Sequence, residues 1–302
     1  MISATTWSLL TGLKDLFETE TSAGGDLSQV QQVKRGMLAP RSAFPVITMI
    51  PVSEEYLKLS SGRRATLRKT IEVMLYWRDL RGASGIADMQ SYMDSIASLV
   101  ESKRQLPSGD TPRAMSADLG SVDFSDIEVN QKVFAVGSLT VNYINKEDLP
   151  DPVVAAARID DPGMQAVSSA VYDNLYGDSD ITDVATIYPQ PFGPFNHNRA
   201  IVVVEPGIES LVPKFSGADE LSQTVDVNVV SPVHRSADKE LQAHLTIIEN
   251  VKTRLWTDIN LGGRAASRVA DIEHGSMQAD SRTLYISRAG LSISAMATVT
   301  PA

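Results

Sequence analysis

The sequence contains no cysteine. Disulfides and thiolate metal sites are therefore excluded, and a reducing compartment is the fitting one. Basic residues are in deficit: 27 Lys and Arg stand against 37 Asp and Glu, for a net charge of −10. A sequence-independent nucleic-acid binder needs a basic surface to displace counterions, and the balance here would repel DNA. The clearest basic cluster, Arg63, Arg64, Arg68 and Lys69, is short. No apolar run reaches the roughly 18 residues of a membrane helix. Residues 1–17 lack a basic region and a small-residue cleavage site, so they read as an amphipathic helix rather than a signal peptide. What remains is ordinary for a globular protein: 302 residues, 43% hydrophobic and 21% charged, enough for two domains.

The central stretch is Thr66 to Lys103. Ile71, Val73, Leu75 and Trp77 alternate with Glu72, Met74, Tyr76 and Arg78, which is the period of a half-buried strand. After a break at residues 80–85 the period changes. Ile86, Met89, Met93, Ile96 and Val100 recur three or four apart, as on one face of a helix. A strand thus feeds a helix that can lie on its sheet. The unit recurs as Val225, Val227 and Val229, then Leu241, Leu245, Ile248, Val251 and Leu255.

Around it, residues 3–17 predict a short helix with Trp7, Leu10, Leu13 and Phe17 inward, capped by Ser3 or Thr5. Residues 19–26 read as a loop and residues 30–37 as a short strand or an ambiguous segment. Residues 44–50 form a strand, residues 51–64 a polar hairpin-like excursion, and residues 105–116 a loop. Residues 123–129 read as a short strand, and the last strand runs from about Val133 to Tyr143.

Two proline-bearing turns, 149–152 and 160–163, mark residues 146–163 as a linker between domains at 1–145 and 164–302. A new helix follows at 164–176, with Asp161-Pro162 suited to its start. The second half follows the first at a nearly constant offset. Val33, Pro40, Ile47 and Ile71 meet Ile187, Pro194, Ile201 and Val225; after a two-residue shift, Ile96 meets Ile248, and Leu139 and Val141 meet Leu291 and Ile293. The expected fold is α+β, two similar domains of internal duplication. Each is a mainly antiparallel sheet flanked by an N-terminal helix and a long central helix.

No catalytic, cofactor or metal constellation emerges. His197, His234, His244 and His274 lack the paired short spacing of zinc ligands. His244 reads as a hydrogen-bonded helix histidine, and Asp271, Glu273 and His274 as a charged loop. Residues 60–64 and Gly262-Gly263-Arg264 lack phosphate-loop spacing and are explained by turn chemistry. Glu54-Glu55 and Asp160-Asp161 read as solvated loops and caps. The candidate subunit-interface residues are Trp77, Arg78 and Arg81, because aromatics and arginine are enriched at interfaces, together with Arg63 and Arg64.

The first half resembles the tail terminators of long-tailed bacteriophages, of the lambda type. The resemblance rests on the leading helix, on Phe44-Pro45-Val46-Ile47-Thr48-Met49, and on the alternating run from Thr70 to Trp77. The helix from Ile86 to Lys103 and the closing Gly137-Ser138-Leu139-Thr140-Val141-Asn142-Tyr143 complete it. The second half is similar more weakly, with Arg199-Ala200-Ile201-Val202 where the Phe-Pro start would stand. The resemblance implies a non-enzymatic virion protein of the tail–neck region, assembled in the host cytoplasm. It implies a ring that ends tail polymerisation, meets the tail tube protein and, in contractile tails, the sheath protein, and joins the head connector. DNA passes as cargo and no membrane is involved. A cap of this kind covers the end of an open heterologous polymer. A homohexamer is favoured; the tandem copy also permits a trimer with pseudo-sixfold symmetry. A head–tail adaptor or baseplate component is the alternative, and a cytoplasmic ligand-binding α+β protein the third reading.

Overall fold

A computed structural model describes residues 5–22, 24–37, 42–60, 64–77, 83–103, 106, 116–129, 132–149, 164–176, 178, 180–181, 184–189, 198–213, 219–234, 237–257, 266–279 and 282–297. The fold is α+β, with four helices and ten strands that are mostly antiparallel. Two compact units are distinguished: residues 1–148 with 235–241, and residues 149–234 with 242–302.

The first unit opens with α1 (Thr6–Glu20), capped by Thr5, whose hydroxyl accepts from the Ser8 N–H at 3.1 Å. Leu9, Leu10, Leu13 and Phe17 are completely buried on its inner face. At its far end the Leu27 N–H returns to the Glu20 carbonyl at 3.1 Å. That return leaves no room for a side chain at Gly25, where an added Cβ would lie 2.3 Å from the Glu20 oxygen. Since the obstacle is backbone, Gly25→Ala is expected to cost about 1–3 kcal/mol, measurable by denaturant unfolding.

Strand β1 (Gln32–Arg35) runs parallel to β2 (Val46–Ser60), which forms a long antiparallel hairpin with β3 (Arg64–Trp77). Helix α2 (Ala83–Ser102) follows, then β4 (Ser116–Val129) and β5 (Lys132–Asp148). Strand β5 pairs antiparallel with both β3 and β4. Ile71, Val73, Leu75 and Trp77 are buried as the alternation requires, and Met89, Met93, Ile96 and Val100 are buried on α2. On the opposite sheet face Val46, Tyr76 and Val136 form a smaller cluster with Phe44 and Met74, and Phe44 stacks on Phe134 at 4.5 Å.

The second unit has the same element order: α3 (Met164–Tyr176), β6 (Val184–Tyr188), β7 (Ala200–Pro213), β8 (Asp219–Val233), α4 (Ala237–Thr257), β9 (Ala266–Ala279) and β10 (Arg282–Ala297). The pairings also match: β6 parallel to β7, and β7–β8, β8–β10 and β9–β10 antiparallel.

The registers refine the correspondence between the halves. Val33, Ile47 and Leu75 lie abreast in the first unit; Ile187, Val202 and Val229 lie abreast in the second. Ile47 therefore matches Val202, one position beyond the Ile201 expected from the ungapped offset. A one-residue slip exchanges sheet faces, and the four consecutive buried residues Ile201, Val202, Val203 and Val204 conceal it. In the closing strand, Val73 faces Leu139 and Val227 faces Ala289, so Leu139 matches Ala289 rather than Leu291. Pro51 and Pro206 occupy the same place, beside an irregularity in β2 and in β7. The irregularity between Leu119 and Val122 recurs opposite Gly290 and Leu291.

Several expected boundaries move. Strand β4 begins at Ser116 rather than Asp123, and β5 continues to Asp148, through the first residues assigned to a linker. Residues 51–64 are mostly strand, the ends of β2 and β3. Residues 150–163, the rest of the expected linker, lie outside the described residues, as do Pro40, Pro194 and most of the 105–116 loop.

Candidate functional site

Of the anticipated interface residues, Arg64 and Trp77 are described, and they stand at opposite ends of β3. Trp77 is 5% exposed, and its ring packs on Tyr92 with centroids 5.3 Å apart. Its place at the end of β3 suggested a surface aromatic. Instead α2 folds back over the strand and takes the indole into the core of its own unit, which corrects that expectation. Arg64 is exposed and donates from Nε to Asp148 Oδ1 at 2.8 Å across β3 and β5. An ion pair this exposed contributes at most about 1 kcal/mol. Arg63, Arg78 and Arg81 lie outside the described residues. Arg68 pairs with Glu55 at 3.0 Å, also on the surface.

Lys69 departs from the basic cluster altogether. It is 1% exposed and meets Glu54, also 1% exposed, at 3.7 Å. Glu54 accepts a further hydrogen bond from the Thr6 hydroxyl, donated from the first turn of α1. Glu54 is thus an interior residue and not the solvated loop carboxylate expected from sequence. The strand period explains this: Lys69 shares the inward face with Leu67, Ile71 and Val73. In the second unit the same register pairs Glu209 with Gln223, whose Nε2 donates to Glu209 Oε2 at 3.3 Å. Glu209 is exposed, and a solvated carboxylate does not require a buried cation.

The histidines separate by environment. His197 lies outside the described residues, and His234 is exposed. His244 is 2% exposed on α4, with its ring between two hydroxyls: Ser231 Oγ lies 2.8 Å from Nδ1 and Ser287 Oγ lies 2.7 Å from Nε2. Burial first, and the nearby His274 second, push its pKa down to about 3. The hydrogen-bonded helix histidine expected from sequence is therefore present. His274 is not in a loop: it stands on β9, half-buried, with Nδ1 2.7 Å from the same Ser287 hydroxyl. Asp271 and Glu273 share that strand. The chain Ser231–His244–Ser287–His274 was not legible, because its serines come from β8 and β10, 56 residues apart in sequence. Ser287 is completely buried, so no substrate reaches its hydroxyl.

Two further features belong to the first unit. A groove of about 680 Å³ runs along the outer face of α1, lined by Trp7, Thr11, Asp15, Leu16, Lys103 and Leu106 among others. At its edge the Arg35 guanidinium stacks 4.0 Å over Trp7 and donates to the Thr11 hydroxyl at 2.7 Å. Burial also raises the Glu72 pKa, against a hydrogen bond from Ser138 that lowers it.

Among the described residues no group of three or more His, Cys, Asp or Glu is placed to hold a metal ion. No helix among them is long and apolar enough to cross a membrane. No protein-family model matches the chain, and no curated protein matches it.

Proposed function

We propose that this protein is a structural component of a long-tailed phage particle, built from two tandem copies of one module, that caps the tail tube as a ring and joins it to the head connector. The observation that carries the reading is the element order. The leading helix, the strand after Phe44-Pro45, the alternating strand, the covering helix and the closing strand on which the resemblance rests are present in that order in the first unit, and the second unit repeats the order without the Phe-Pro start. The matched registers and irregularities support the tandem copy, since unrelated α+β domains need not share them. In this reading the ring is formed by six chains, its partners are the tail tube protein and the neck proteins, and DNA passes through as cargo.

Size-exclusion chromatography with negative-stain microscopy tests the proposal. A ring, formed alone or on the ends of added tail tubes, is the expected result. A monomer that leaves tube length unchanged overturns it. The candidate interface arginines give a second test. Arg64→Glu combined with Arg78→Glu and Arg81→Glu is expected to weaken ring formation at least tenfold by light scattering. The lost Arg64–Asp148 pair changes stability by no more than about 1 kcal/mol. Undiminished assembly would remove these residues from the contact.

A further inference from the structure

Two strand edges stand unpaired, one in each unit. Among the described residues β4 pairs with β5 alone, so its outer side meets no other strand. Strand β7 pairs with β6 only over Ala200–Val203; from Val204 to Pro213 it pairs with β8 alone. Pro206 and Pro213 have no N–H to offer, which leaves residues 207–212 between them, an ordinary strand length.

Proteins blunt long edges with lysine, proline or short length. Strand β4 is 14 residues long and has neither lysine nor proline. Each edge also shows a large apolar side chain to water. Phe124 on β4 is 45% exposed, and Ile208 on β7 is 76% exposed, the most of any large hydrophobic described. What the two edges share is charge. Asp118, Asp123 and Asp126 are exposed on β4, Glu205 and Glu209 stand on β7, and neither strand has a lysine or arginine.

We propose that the outer edge of β4 in one copy of the chain pairs with the outer edge of β7 in the next, and that their common negative charge holds free copies apart until cations screen it. This rests on the ring reading above, for which it supplies the contact.

The edges differ, so a contact between them is heterologous and repeats from copy to copy around a ring. Pairing each edge with its own kind would set three aspartates against three at β4; pairing it with the other kind spares that contact. Some repulsion remains. On any register that places Glu209 opposite a residue of β4, it comes within three residues of Asp118, Asp123 or Asp126. That is about 10 Å along the strand. Repulsion over such a distance is felt where the screening length is about 30 Å, at 10 mM salt, and lost where it is about 3 Å, at 1 M. The backbone ladder and the burial of Phe124 and Ile208 do not depend on charge. Free copies are thus dispersed at low ionic strength and join once screened.

The absence of cysteine makes crosslinking a clean test. Full-length Ser121→Cys, Asp123→Cys and Ser125→Cys are each mixed with full-length Ser210→Cys under mild oxidant, at 10 mM and at 1 M NaCl. Neighbouring strands lie about 4.8 Å apart, within reach of a disulfide. At 1 M at least one mixture is expected to give the mixed disulfide about tenfold above a mixture of Ser210→Cys with Thr246→Cys, an exposed position on α4. At 10 mM the yield is expected to fall to that of the control. Asp118→Asn, Asp123→Asn and Asp126→Asn together, added to Ser121→Cys or Ser125→Cys, should give the high yield at 10 mM as well.

Negative-stain microscopy of the same samples separates this contact from the ring itself. Rings whose cysteines stay at the control level overturn the edge pairing and leave the ring reading standing. Mixed disulfides in open strings keep the pairing and overturn the ring. Monomers at both salt concentrations overturn both. A yield that does not change with salt, or β4-to-β4 disulfides in excess of the mixed ones, overturns the proposal as well.

Discussion

Replacing Lys69 with alanine is expected to destabilise the first unit by about 3–5 kcal/mol, because it strands the Glu54 carboxylate without a counter-charge in the interior. The double variant Glu54→Leu, Lys69→Met is expected to lie close to the unmodified protein. It removes both charges and fills the same volume, and buried ion pairs exchanged for apolar side chains are often neutral. Glu209→Ala, at the matching place in the second unit, should change stability by no more than about 0.5 kcal/mol, since that carboxylate is already in water. Guanidinium unfolding followed by circular dichroism ranks the three. A loss below about 1 kcal/mol for Lys69→Ala would show that water reaches Glu54, and the interior assignment of the pair would fail.

Trp77→Ala is expected to cost about 3–5 kcal/mol, the range for truncating a large buried aromatic. The two readings of this residue predict different measurements. An interface tryptophan, once removed, leaves a stable subunit that does not assemble. The indole seen here, nearly enclosed and packed on Tyr92, is expected to reduce the denaturation midpoint of isolated subunits. Any failure to assemble would then follow from instability. An unchanged midpoint with lost assembly would return Trp77 to the surface.

The elements that could be read from sequence were those whose buried side chains keep a single period. Ile71 to Trp77, Met89 to Val100, and Leu241 to Leu255 each bury one regular face, and each was located correctly. Strand β4 was read short because Asp118, Asp123, Phe124 and Asp126 are exposed on it, so its outer face has the polarity of a loop. Strand β9, with Asp271, Glu273 and His274, was misread for the same reason. The ends of the β2–β3 hairpin were obscured by Glu54, Glu55, Arg68 and Lys69. Charge alone does not reveal which two of these four face inward. The register errors were of one and two residues, at Val202 and Ala289, where runs of small apolar side chains tolerate either alignment. The functional reading rests on the order of elements, which is legible. The polar chain around His244 depends on contacts between distant strands, which no local period encodes.

Trp77 lies opposite Ala135 on the neighbouring strand, while Ser231 at the matching place lies opposite Tyr285. Bulk has changed sides: each rung holds one large and one small residue, in reversed order. Transplanting a single residue from one half to the other would therefore leave either a void or a collision, whereas moving both members of a rung together preserves the total. The halves have become non-interchangeable at single sites while still obeying a common template, so hybrids assembled from intact rungs should fold where residue-by-residue mosaics do not.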